Sequence, residues 1–255
     1  MTQAPLMDRI HITEDYDVPR VINGGWQLSA GHALERPLDL ADASRAFNRL
    51  IDMGFDTFDC ADIYTGVEDF FGGIIRERRK AGLRLPQIHT KFVPDLNDLA
   101  NVTPAYIENI ITRSLRRLGV ERLDAVQFHW WDYSVPGMVD VAGELVRLQE
   151  KGLIRLISTT NFNAVELRKL IDAGIPVATN QCQYSVLDRR PAMRLERLCR
   201  KTGVKLLCYG TVAGGFRSGL ARRSPITSRT APWSSTRSSS RIRSAGKASK
   251  RFSPS

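Results

Sequence analysis

Six times along this chain a helix-patterned stretch is closed by a glycine and followed by a short apolar run, and that repeated unit constrains the fold more than any other feature. Asp39 is placed to cap a helix with apolar residues at Leu40, Ala43, Phe47, Leu50 and Ile51, which Gly54 ends before a strand from Phe55 to Asp59. Val67 to Lys80 with Gly82 precedes a strand from Gln87 to Phe92. Thr103, with Pro104 at the first helical position, opens a helix that Gly119 ends before Leu123 to His129. Three further units run Val139 to Lys151 with Gly152 into Leu153 to Thr159, Asn163 to Gly174 into Pro176 to Gln181, and Pro191 to Thr202 with Gly203 into Val204 to Gly210. The closing glycines are 28, 37, 33, 22 and 29 residues apart. Each interval leaves room for a helix to cross back over a sheet, so the strands are expected to be parallel.

Upstream, Val18 to Ser29 reads as a short strand running into a turn at Gly24 and Gly25, where a backbone without Cβ atoms could approach a ligand closely. With it the chain has seven strands and six intervening helices. The class is α/β, and a (β/α)8 TIM-type barrel, incomplete at its C-terminal end, accounts for the pattern best. A doubly wound open sheet is the competitor, but no G-x-G-x-x-G stands at a strand-to-helix turn.

In a barrel the carboxyl ends of the strands share one rim. Asp59, Lys91 and His129 end three of the predicted strands, and Tyr64 follows Asp59 by five residues in T-F-D-C-A-D-I-Y. A tyrosine beside a lysine that is itself held by a carboxylate suggests a tuned proton donor. Moving a phenol from about 10 toward 7 needs roughly 4 kcal/mol. One ammonium at about 4 Å in an effective dielectric near 20 supplies about that much. Each residue alone has a plainer reading: a turn cap for Asp59, a surface phenol for Tyr64, a solvated Lys91, a core histidine for His129 beside Trp130 and Trp131. Their conjunction on one rim favours chemistry. Trp26, Phe92, Trp130 and Trp131 are candidates for an apolar substrate mouth, with core packing as the alternative for each.

These motifs resemble the aldo-keto reductase family. D-T-F-D-C-A-D-I-Y is similar to the family's strand-two motif, and T-T-N-F (Thr159 to Phe162) to its V-S-N-F. The resemblance implies that Tyr64 donates a proton to a carbonyl oxygen, that Asp59 and Lys91 tune it and that His129, in V-Q-F-H-W, orients the carbonyl. It implies that Thr160, Asn161 and Gln181 hold a nicotinamide carboxamide, that Tyr209 stacks on the ring, and that Gly25, Trp26 and Asp59 lie beside the cofactor. The implied activity is reduction of an aldehyde or ketone by NADPH, with NADH left open. The implied partner is a small-molecule carbonyl substrate. The resemblance covers residues 18 to 216.

After Phe216 the pattern stops. Residues 217 to 255 hold 12 Ser, 10 basic residues and no acid, whereas residues 1 to 216 hold 27 Lys plus Arg against 27 Asp plus Glu. All of the net charge of +10 therefore lies in the last segment. That composition predicts a barrel over 1–216 and a disordered Ser/Arg-rich tail over 217–255, to which non-specific polyanion contact would be confined. The family's last helix, eighth strand and phosphate-gripping basic segment are not recognisable there. Loss of acids and periodicity within a few residues is what a shifted reading frame of a GC-rich gene would give, and a truncated or frameshifted chain is expected to be poorly stable and to bind cofactor weakly.

A charged fraction of 25% and no apolar run near 20 residues exclude a helical membrane protein. The amino terminus lacks a signal-peptide pattern, so a cytoplasmic protein is expected. Cys60, Cys182, Cys199 and Cys208 form no CxxC or CxxH pair, which argues against a zinc site and a disulfide framework. Rival functions are a reductase-like binding or regulatory subunit without activity, and a lyase forming a Schiff base on Lys91.

Overall fold

The computed structural model describes residues 8–29 and 39–211, which all lie within one unit, Met1–Gly214. The expectations for the tail fall outside the described residues.

The repeated unit forms as its caps dictate. Asp39 accepts from the amides of Ala41 and Asp42 at the start of α1 (Leu40–Asp52), Thr103 from Tyr106 at the start of α3 (Pro104–Leu118), and Asn163 from Val165 and Glu166 at the start of α5 (Ala164–Asp172). Each helix, including α2 (Val67–Lys80), α4 (Met138–Glu150) and α6 (Leu195–Thr202), is followed by its closing glycine at φ between 65° and 93°. A Cβ on Gly54, Gly152, Gly174 or Gly203 would meet nothing within 4 Å. Backbone conformation, not space, requires glycine there.

Two strands, β1 (Arg9–Thr13) and β2 (Tyr16–Pro19), form an antiparallel hairpin. The sequence reading missed this hairpin and ran its first strand from Val18; the first strand of the main sheet is instead β3 (Asn23–Gly24). It is followed by β4 (Thr57–Asp59), β5 (Gln87–Phe92), β6 (Leu123–Phe128), β7 (Ile154–Thr160), β8 (Val177–Gln183) and β9 (Lys205–Tyr209). The seven strands pair in chain order and every pairing is parallel. β3 and β9 are the two edges of this sheet among the described residues.

The sheet is strongly curled. Gln181 on β8 donates to Asp59 on β4 at 2.7 Å, although four strand spacings would separate them by about 19 Å in a flat sheet. Curling encloses the inward side chains, and the hairpin fills one end: Tyr16 and Val18 pack with Ala125 and Leu156, and the Tyr16 hydroxyl lies 3.0 Å from His89 Nε2. The outer face carries the larger core, in which Phe58, Phe71, Phe92, Phe128, Trp130 and Phe162 are buried between strands and helices. Among the described residues no helix is long and apolar enough to cross a membrane.

Candidate active site

Alternation along the strands sets which side chains meet. Asp59 ends β4, Lys91 is the fifth residue of β5, Gln127 the fifth of β6 and Gln181 the fifth of β8, and all four face inward at the same level. Lys91 Nζ donates to both Asp59 oxygens and to the Cys60 carbonyl, each at 2.7 Å. Asp59 Oδ1 also accepts from Gln127 Nε2 and Gln181 Nε2, both at 2.7 Å. Gln127 is fully buried and was not singled out from sequence. Its signal was present, since a polar residue two positions before His129 in an apolar strand shares that residue's face.

Tyr64 lies in the loop after β4, with the Lys91 ammonium 5.1 Å from its ring centre. The loop is braced from behind. Glu68 accepts from Thr90 at 2.7 Å and from Arg117 at 3.2 Å, and Arg117 also donates to the carbonyl of Asp62. Asp62 itself is buried, and burial followed by repulsion from Glu68 pushes its carboxyl up to about 8.

The electrostatics differ from the sequence expectation in one respect. Burial raises the Tyr64 pKa, and the pull of Lys91 in the other direction, partly countered by Asp59, does not reverse it. The expectation counted the ammonium but not the desolvation of the phenol. Burial likewise works against the charge on Lys91, but Asp59 and Tyr64 more than offset it and the Lys91 pKa is raised. Its three N–H groups thus face both Asp59 oxygens and the Cys60 carbonyl. A held ammonium has no lone pair for a Schiff base, which argues against the lyase reading.

His129 follows β6 directly, and its Nδ1 lies 3.2 Å from the Thr160 carbonyl oxygen. A carbonyl only accepts, so Nδ1 carries the proton and the neutral ring presents Nε2 as an acceptor. Burial lowers the His129 pKa, the Thr160 carbonyl opposes this, and Lys91 adds to the lowering.

Beside this cluster, Thr160 Oγ1 donates to Gln181 Oε1 at 3.2 Å, and the Tyr209 hydroxyl to Asn161 Oδ1 at 2.8 Å. Asn161 has φ 63°, the left-handed conformation, without being a glycine. Gly25 is tight, but against the chain itself: its amide donates to the Asp59 carbonyl at 2.7 Å, and a Cβ would lie 2.9 Å from Val67 and 3.0 Å from that carbonyl. Of the proposed mouth aromatics, Trp26 and Trp131 are part-exposed, whereas Phe92 and Trp130 are core residues because they point to the helix side. A cleft of about 790 Å³ reaches Asp59, His89 and Gln181 between β9 and the hairpin. No group of metal-ligating side chains occurs among the described residues.

The family model described as the aldo/keto reductase family matches residues 20–251. An aldo-keto reductase [NADP(+)] of Schizosaccharomyces pombe is 27% identical over 202 residues, covering 76% of this chain and 58% of that protein. The NADH-specific methylglyoxal reductase of Escherichia coli is 28% identical over 235 residues, covering 83% of this chain and 69% of that protein. The glycerol dehydrogenase of Gluconobacter oxydans superposes with a TM-score of 0.68 at 26% identity, over 82% of this chain and 65% of the other. The chain thus spans well under two thirds of the yeast relative's length. With a family match extending over most of its residues, on a curled parallel sheet of the same architecture, the chain belongs to the aldo/keto reductase family.

Proposed function

We propose that this chain reduces a small aldehyde or ketone to the alcohol, using NADPH or NADH, with Tyr64 as the proton donor. The observation that carries the reading is the junction at Asp59, where one carboxylate accepts from Lys91, Gln127 and Gln181 and so ties the tyrosine's cation to the carboxamide-binding face.

The residues fit a nicotinamide. Its carboxamide needs partners of both kinds: Asn161 has an amide N–H₂ to donate, and Gln181 Oε1, which already accepts from Thr160, has a second lone pair. The Tyr209 ring is held by its bond to Asn161 and offers a stacking face. A reduced nicotinamide bound there would supply hydride to the carbonyl carbon. Tyr64 would give its proton to the oxygen, and Lys91 would stabilise the phenolate left behind. Because burial raises Tyr64, the phenol is kept protonated until charge develops on the substrate oxygen, which suits an acid. His129 in its neutral form would accept from the alcohol hydroxyl. Donating to a carbonyl oxygen would require its imidazolium form.

Trp131, whose ring meets that of His129 edge-on at 4.4 Å, would flank the substrate together with the part-exposed Trp26, and Gly25 would act by placing Trp26 and by bracing the Asp59 backbone. The E. coli and yeast relatives, one NADH-specific and one named for NADP(+), support a nicotinamide dinucleotide of either kind. A cytoplasmic location belongs to the same proposal, supported by four cysteines that are all unpaired, as expected in reducing surroundings.

The test is oxidation of NADPH and NADH by a panel of aldehydes and ketones with the full chain and with Tyr64→Phe. Turnover lost in Tyr64→Phe with cofactor binding retained supports the reading. A folded, cofactor-saturated chain without turnover would instead favour a binding or regulatory subunit.

A further inference from the structure

Outside the site, Cys182 and Cys208 occupy directly paired positions on the adjacent parallel strands β8 and β9. In-register neighbours lie about 4.8 Å apart across a sheet, within the Cα separations of about 4.4–6.8 Å that a disulfide spans. Both side chains point to the outer face, opposite to Gln181 and Tyr209. Both are free thiols, and each shifts the other's titration, which places the two sulfurs near each other. Cys182 is buried and Cys208 exposed, so the pair has one reachable sulfur and one sheltered behind it. We propose that Cys182 and Cys208 are a modification site, forming a reversible disulfide that ties β9 to β8 when a hydroperoxide oxidises Cys208.

The roles follow from position. The more buried Cys182 is pushed up and keeps its proton, and its proximity lowers the Cys208 thiol to about 7. Cys208 is therefore the nucleophile at neutral pH. Its thiolate attacks a peroxide oxygen; an S–O bond forms, the O–O bond breaks, and the other oxygen leaves as water or an alcohol. The Cys182 sulfur then attacks the resulting sulfenic acid; the S–S bond forms, the S–O bond breaks, and the hydroxyl leaves as water with the Cys182 proton. The two thiols give up two electrons and the peroxide takes them, and a dithiol reverses the change. Cys199 on α6, which also acts on Cys182, is the rival partner, but burial raises its thiol to about 11 and leaves it less reactive.

The cross-link would clamp β9, the strand that carries Tyr209. The experiment treats the full chain with near-stoichiometric hydrogen peroxide, then counts free thiols and maps non-reduced tryptic peptides of the monomer. The expected result is a fall from four free thiols to two, a linked pair of peptides bearing Cys182 and Cys208, and restoration by dithiothreitol. Cys199→Ser should behave as wild type, and Cys208→Ser should form no link. Four surviving thiols, over-oxidation of Cys208 without a cross-link, or a Cys182 to Cys199 link would each overturn the proposal.

Discussion

Gln181 and Asp59 stand 122 positions apart in the chain and share a 2.7 Å hydrogen bond across the interior of the curled sheet. Replacing Asp59 by Asn keeps the shape and removes the charge that holds Lys91. The pair is largely buried, at 7% and 15% side-chain exposure, so Asp59→Asn should cost about 3 kcal/mol of stability. It should also lower kcat about 100-fold by weakening the proton donor's support. Gln181→Leu, which removes one charged hydrogen bond but leaves the ion pair, should cost only about 2 kcal/mol. Urea denaturation with steady-state kinetics checks both.

The direction of catalysis should depend on the protonation of His129. Its pKa is lowered by burial below the usual imidazole value of about 6.5. Carbonyl reduction should therefore speed up as pH falls below that value and the ring gains an Nε2 proton, while alcohol oxidation should slow down. In His129→Gln both profiles should lose this limb. A reduction profile unchanged between the two proteins would show that the ring's charge is not used.

His89 should make the fold sensitive to acid. It is fully buried, and desolvation lowers it to about 4. The folded state thus binds fewer protons than the unfolded one between about pH 6.5 and pH 4, so stability rises with pH in this window. The contribution of a neutral His89 is complete above about pH 6.5 and is lost as pH falls through about 4, a total of about 3 kcal/mol. The difference in unfolding free energy between wild type and His89→Gln, measured at pH 7 and at pH 4, should shrink in the acid by about that amount, whatever other groups titrate in common.

Asn161 separates backbone from side-chain roles. At φ 63° it stands where a β-branched residue is strained and glycine is not. Asn161→Gly should fold with near wild-type stability and bind nicotinamide cofactor more weakly, by about tenfold for one lost hydrogen bond. Asn161→Val should lose stability as well, by about 1–2 kcal/mol. Fluorescence titration and thermal melts distinguish the two.

Legibility from the sequence followed the physics of each signal. Helix starts at Asp39, Thr103 and Asn163 and the spans Val67–Lys80 and Gln87–Phe92 were readable because caps and periodicity are local. The hairpin was missed, although Ile10, Ile12, Tyr16 and Val18 alternate as strand residues do, because its reason to exist is the end of an interior formed by Ala125 and Leu156 far downstream. Asp59 and Lys91 were readable as rim residues and Gln181 through the family resemblance, but the meeting of Lys91 and Gln181 on one Asp59 oxygen depends on the curl of the sheet. The Tyr64 shift was misjudged because desolvation depends on neighbours that no spacing reveals. Phe92 and Trp130 were candidates for the mouth until strand register put them against the helices.

The ring of acceptors around Lys91 bears on how the proposed reduction would reload between turnovers. An ammonium held by both Asp59 oxygens and the Cys60 carbonyl is a fixed charge and not a courier. A proton given up by Tyr64 would have to be replaced from the open side of the rim, past His129 or through water. Each cycle would then need product to leave, or the mouth to be wetted, before the phenol is restored, and solvent exchange becomes part of turnover.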